Sequence, residues 1–169
     1  MIDVRETIPV PMINVINGGV HVADGNLKIQ EFMIRPIGFR SIEEALTASE
    51  KVFSVLGDIF IEKGYISGKT NRDRTSFGNE KGYNPRNIKS TQEALEILES
   101  AIGGSGYILG KDFDIALDLA ASEFFNKDPQ YPGMYEIEPG IFVDTDMLIV
   151  YLEDLVSDFH VNSIEDGLD

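Results

Sequence analysis

Two short apolar runs, Ile115-Ala-Leu-Asp118 and Val161-Asn-Ser-Ile-Glu165, each end in a carboxylate followed by a turn or helix signal, and a helical stretch separates them. Strand, helix, strand in that order points to parallel pairing, because the crossover helix returns the chain to its starting edge. Parallel strands present their carboxyl ends at one common mouth. Asp118 and Glu165 are therefore expected to converge there, a placement typical of a metal site on an α/β barrel. The sequence ends four residues after Glu165, at Asp169, so the site is expected to be only partly built.

The remaining elements follow from local signals. Met12-Ile-Asn-Val-Ile16 reads as a buried strand running into the Asn17-Gly18-Gly19 turn, and Ile29 to Ile34 as a second strand closed by Pro36. Alternation sets Gln30 and Glu31 on opposite sides of that strand. Ser41 with Glu44 forms a capping box for a helix whose apolar stripe is Ile42, Leu46, Phe53, Leu56 and Phe60, and which ends at Gly64. Ser90 with Glu93 opens a second helix with Ala94, Leu98 and Ala101 on its stripe, ending at the glycine cluster 103–106. Phe113 to Leu119 is a strand, Met134 to Phe142 a hairpin turning at Pro139-Gly140, and Asp144 or Thr145 caps a helix carrying Leu148, Leu152 and Leu155. The order β-β-α-α-β-hairpin-α-β predicts a mostly parallel α/β arrangement with its first two strands directly joined.

Residues 65–90 lack periodicity and gather Lys69, Arg72, Arg74, Lys81, Arg86 and Lys89 against Asp73 and Glu80. A loop this long inside a compact domain is either functional or disordered. It stands out because the whole chain carries a net charge of -15. That charge disfavours a nucleic-acid or anionic-membrane partner, since a polyanion meets repulsion over most of the surface. Zero cysteines exclude thiolate ligands and disulfides, leaving hard oxygen donors for any metal. No apolar stretch is long enough to span a bilayer, so a soluble, cytoplasmic protein is expected.

Four ordered motifs carry a family resemblance: Pro9-Val-Pro-Met-Ile-Asn-Val-Ile-Asn-Gly-Gly19 with His21; Gln30-Glu-Phe-Met-Ile34; Leu117-Asp-Leu-Ala-Ala-Ser-Glu-Phe124; and Ser163-Ile-Glu-Asp-Gly-Leu168. Together they resemble enolase. The resemblance implies a single partial domain over residues 1–169, a TIM-like barrel opening β-β-α-α and continuing in β/α units. The amino-terminal capping domain and the second half of the barrel would be absent. It implies a lyase segment of the kind that dehydrates 2-phosphoglycerate to phosphoenolpyruvate in glycolysis with Mg²⁺.

Residue by residue, the resemblance makes Asp118 and Glu165 magnesium ligands. It makes Glu80, in Phe77-Gly-Asn-Glu-Lys-Gly-Tyr83, the general acid that assists hydroxide departure, and it makes His21, Gln30 and Glu31 substrate contacts, with the Gln30-Glu31 pair at the end of the second strand. Two departures stand out. The family's Gly-Asp-Glu-Gly-Gly reads Gly78-Asn79-Glu80-Lys81-Gly82 here, and lysine does not take positive φ easily. The interval from His21 to Gln30 is one residue longer than usual.

The family's base, third metal ligand and phosphate clamp match no position of this sequence, so the chain alone is expected to be inactive. A half-barrel leaves bare strand edges and apolar helix faces, which predicts self-association or a complementary chain. Two other readings stay open: a divergent, non-catalytic enolase relative, and a protein-interaction module. Bland roles also stay open, with Asp118 as a turn cap, Glu165 as a rim acid, and His21 and His160 as solvent-exposed histidines.

Overall fold

A computed structural model of the chain describes residues 9–22, 25–67 and 81–169. Glu80 and most of the basic loop lie outside the described residues. The elements are β1 (Ile13–Asn17), β2 (Glu31–Pro36), α1 (Ile42–Glu62), α2 (Thr91–Gly104), β3 (Phe113–Asp118), β4 (Tyr135–Glu138), β5 (Ile141–Val143), α3 (Thr145–Phe159) and β6 (Val161–Glu165). Four strands form one open sheet in the order β1-β2-β3-β6, and β4 and β5 form a separate hairpin.

The caps expected from sequence are made. The Ser41 hydroxyl accepts from the Glu44 N–H at 3.2 Å, and Ser90 accepts from the Glu93 N–H at 3.1 Å. In both helices the glutamate reaches back one residue beyond the cap, to the Arg40 N–H at 3.2 Å and the Lys89 N–H at 2.7 Å. Asp144 caps α3 through the Met147 N–H at 2.9 Å. Each such cap contributes about 0.5–2 kcal/mol.

The apolar stripe of α1 differs from the expected one at its start. Ile42 and Leu46 are exposed, while Ala45, Ala48, Ser49, Val52, Leu56 and Phe60 are buried. Small side chains there bring the backbone close to its neighbours, so the helix turns its alanine face inward. One core runs through this face, the inner faces of α2 and α3, and the sheet, with Phe32, Phe60, Tyr83 and Phe113 wholly enclosed.

The sheet is not mostly parallel. β1 pairs with β2 and β2 with β3 in antiparallel fashion, and the β3–β6 ladder is parallel. The reason lies in the connections. A single helix between two strands returns the chain parallel, whereas α1 and α2 in succession reverse it twice and deliver β3 antiparallel to β2. This corrects the position of the Gln30-Glu31 pair: Glu31 opens β2 and does not close it. Because β2 runs against its neighbours, its first residue lies at the same edge as the last residues of β1, β3 and β6.

The sheet edges are unlike each other. β1 is flanked by residues 81–84, where the Tyr83 N–H donates to the Val15 carbonyl at 3.0 Å and the Asn17 N–H donates to the Tyr83 carbonyl at 2.8 Å. β6 is bare. On α3, beside it, Met147, Ile149, Val150 and Val156 are exposed, matching the apolar faces expected of an open half-barrel. Among the described residues, no helix is long and apolar enough to cross a membrane.

Candidate active site at one edge of the sheet

Backbone register brings four polar residues into a row. Asn17 pairs with Glu31, Glu31 with Asp118, and Asp118 with Glu165. Three of the sequence-predicted site residues thus stand on three adjacent strands at one edge. The backbone continues the ladder past them, with the Leu119 N–H donating to the Glu165 carbonyl and the Gln30 N–H to the Asp118 carbonyl, both at 3.0 Å.

Asp118 is the most constrained of the three. Its Oδ1 accepts from the Ala120 N–H at 3.0 Å, an Asx-type turn that holds Ala120 at φ 47°. Among the described residues its Oδ2 receives only a long contact, 3.5 Å, from the Gln30 side-chain amide, so that oxygen retains acceptor capacity. The capping role considered for Asp118 is therefore real and uses one oxygen, leaving the other available. Glu165 is exposed at the rim.

His21 sits on a turn folded back against β2. The Gly18 N–H donates to the Gln30 carbonyl and the Gly19 N–H to the Leu27 carbonyl, each at 2.9 Å. Gly18 is required for this approach, because a Cβ there would lie 2.3 Å from the Ile29 carbonyl oxygen and 2.8 Å from Leu27 Cβ. His21 is half-buried, and its Nδ1 is enclosed with no hydrogen-bond partner among the described residues. His160 is exposed at the opposite edge of the sheet, as the simple surface reading had it.

Asn17, read in the sequence as a turn residue, proves to be a clamp. Fully buried, its amide donates to the Gly82 carbonyl at 3.0 Å and to Asn84 Oδ1 at 2.7 Å, while its own oxygen accepts from Asn14 at 2.7 Å. Residues 82–84 are thereby fastened to the end of β1. Lys81, just before them, adopts φ 62° despite its side chain. Such a conformation costs about 1–3 kcal/mol and is held by the clamped segment that follows it.

With this geometry in place, comparison with known proteins decides the family. A profile described as "Enolase, C-terminal TIM barrel domain" matches residues 5–169. The chain is 43% identical over 169 aligned positions to "Enolase" of Mycoplasmoides gallisepticum (strain R(low / passage 15 / clone 2)), an alignment covering 96% of this chain and 34% of that protein. The chain belongs to the enolase family. It spans about a third of the length of the curated relative it matches, and its open sheet is that of a partial α/β barrel.

In this enolase segment no metal site is shown among the described residues. Among the described residues, no three His, Cys, Asp or Glu side chains gather closely enough to hold a cation. Two carboxylates are abreast, Asp118 and Glu165, and Glu31 lies one strand away in the same register.

A second element of the enolase segment reaches the same edge. Lys28, on the His21 loop, forms a 2.6 Å ion pair with Glu136 of β4, tying that loop to the hairpin. Burial pushes the Glu136 pKa up, but the Lys28 hydrogen bond, the Gly140 N–H and the Lys28 charge outweigh it and hold the carboxyl below its ordinary value of 4.5. A carboxyl depressed in the folded state contributes stability above its unfolded pKa and loses it as pH falls through the folded value. The pair is part-exposed, so its contribution is up to about 1 kcal/mol. In urea titrations, the stability advantage of the native chain over Glu136→Gln should be present at neutral pH and fade below about pH 4. An advantage that persisted unchanged in acid would show that the pair is not the cause.

Proposed function

We propose that this chain is part of an enolase-type lyase acting on 2-phosphoglycerate with Mg²⁺. The observation that carries the proposal is the shared row of Glu31, Asp118 and Glu165 at one edge of the sheet. Mg²⁺ prefers hard oxygen donors, keeps several waters, and is commonly bound through one or two carboxylates plus oxygen atoms of the substrate. Asp118 with a loosely engaged Oδ2 and Glu165 at the exposed rim fit as two of its ligands. When bound, the cation stabilises the negative charge that develops on a carboxylate substrate as its adjacent proton is removed.

The chain's own groups take the remaining roles. Gln30, whose amide lies 3.5 Å from Asp118 Oδ2, and Glu31 are assigned to substrate contact. His21, half-buried on the turn folded against β2, is assigned a substrate contact as a donor to a phosphate or hydroxyl oxygen. Glu80 is assigned the general acid role, delivering a proton to the departing hydroxide. Asn17 anchors residues 82–84, which begin two positions after Glu80 in the chain.

Calorimetric titration of the chain with Mg²⁺ tests this reading, with Asp118→Asn as control. Weak binding that disappears in Asp118→Asn is expected, alongside no phosphoenolpyruvate formation by the chain alone. Heat that is absent, or identical in the control, would sink the metal assignment, and clear turnover would sink the prediction of inactivity. A second reading, an interaction module, is favoured by the exposed apolar residues of α3 beside the bare β6 edge. Such a module needs no cation, so the same titration separates the two.

A further inference from the structure

We propose that Asn162 is a positioning residue that sets the β3–β6 register and so decides which residue of β6 stands beside Asp118. The inference rests on the reading of Asp118 and Glu165 as a cation pair and names what aligns them. Ile115 pairs with Val161, yet Ala116 pairs with Ser163. One residue of β6, Asn162, is therefore extra. Uninterrupted pairing from Val161 would set Ile164 opposite Asp118 and carry Glu165 one residue further along, about 3.3 Å past it. The irregularity restores the match, and Leu117 with Ile164 and Asp118 with Glu165 follow.

Parallel ladders rarely carry an inserted residue, and an insertion needs something to hold it. Here the Asn162 side-chain amide donates to Asp114 Oδ2 at 2.8 Å. Asp114 is 3% exposed and is fixed in turn by Arg35 of β2 at 3.4 Å. The other Asp114 oxygen, Oδ1, is enclosed without a partner, so the buried carboxylate depends on these two donors. On the adjoining backbone, the Ile115 N–H donates to the His160 carbonyl at 3.2 Å, pinning the strand just before the insertion. The clamp sits at the opposite end of the sheet from the acidic row and acts on it only through register. Because successive strand residues face opposite sides, a one-residue slip would change both the neighbour and the facing of every later residue.

Two variants of the isotopically labelled chain test the proposal by NMR. Asn162→Val removes the amide donor but favours strand. It should lose protection of the Leu119 N–H, which bonds Glu165 in the native register, and the close backbone contact between Asp118 and Glu165. Deletion of Asn162 removes the extra residue and its need for a clamp, and should retain both signals. Retention of the native signals in Asn162→Val, or their loss in the deletion variant, overturns the proposal. Should Asn162→Val not fold, the deletion variant decides. Mn²⁺ titration of the same chains, read by paramagnetic broadening, tests the underlying assignment separately. Affinity should fall about 10–100-fold in Asn162→Val and persist in the deletion variant. No Mn²⁺ binding by the unaltered chain would overturn the cation assignment, and the register signals would still decide the role of Asn162.

Discussion

Replacing Tyr83 by alanine is expected to destabilise the chain by about 3–5 kcal/mol, the range for truncating a fully buried large aromatic side chain. Tyr83 is 0% exposed, stacks on Phe53 at 4.4 Å between ring centroids and meets Phe60 edge-on at 5.7 Å. Its hydroxyl donates to the Phe53 carbonyl at 3.3 Å. Burial first, and the negative charge of Asp58 second, push its pKa up to about 12, so the ring stays neutral at any pH where the fold is used. The loss is against a total stability that for most domains is only about 5–15 kcal/mol. Thermal denaturation should show Tm falling by roughly 6–20 °C. Tyr83→Phe, which keeps the ring and loses one hydrogen bond, should cost only about 1 kcal/mol. A fall below that in Tyr83→Ala would mean that the 81–84 segment is not anchored through this side chain.

Gly18→Ala should give the second large effect. The new methyl carbon would meet backbone at 2.3 Å and a side-chain carbon at 2.8 Å, and a backbone oxygen cannot swing aside as a side-chain tip can. The turn carrying His21 must open or β2 must shift, at a cost of about 1–3 kcal/mol. Amide hydrogen exchange locates the damage. Gly18 and Gly19, whose N–H groups bond to Gln30 and Leu27, should exchange much faster in the variant. Unchanged protection at both would contradict the close packing on which the His21 position depends.

Features encoded within a few residues were readable in advance. The Ser41 and Ser90 caps, the Asp144 cap and the turn at Pro139-Gly140 need only neighbours in sequence, and each formed where expected. The direction of β2 was less accessible, although the element order contained it, because two helices between strands imply an antiparallel return. Glu31 opens β2 for that reason, at the same end as Asp118 and Glu165. The face of α1 was misjudged at Ile42 and Leu46 because apolar periodicity counts large side chains, whereas close packing selected alanines.

The candidate site divides along the same line. Asp118 and Glu165 were legible as strand-end acids. Their side-by-side register was not, since it depends on a contact between Asn162 and Asp114 across 48 residues of sequence. Asn17 gave the signal of a turn, Asn-Gly-Gly, and that signal is correct for the chain direction. Its side chain nevertheless serves a partner 65 residues away, which no local pattern reports. The strain at Lys81 was anticipated from the loss of a glycine, and the chain adopts the positive φ nonetheless, because the residues after it are fastened to β1.

The unequal edges of the sheet limit how it can grow. Among the described residues, Tyr83 bridges β1 at Ile16, while β6 pairs with β3 on one side and offers its other side to a further strand. Two such sheets meeting along β6 would satisfy each other's open groups there. Edge pairing through β6 therefore favours a closed pair of copies, and the docked 81–84 segment that frames the site narrows the opposite edge of the sheet.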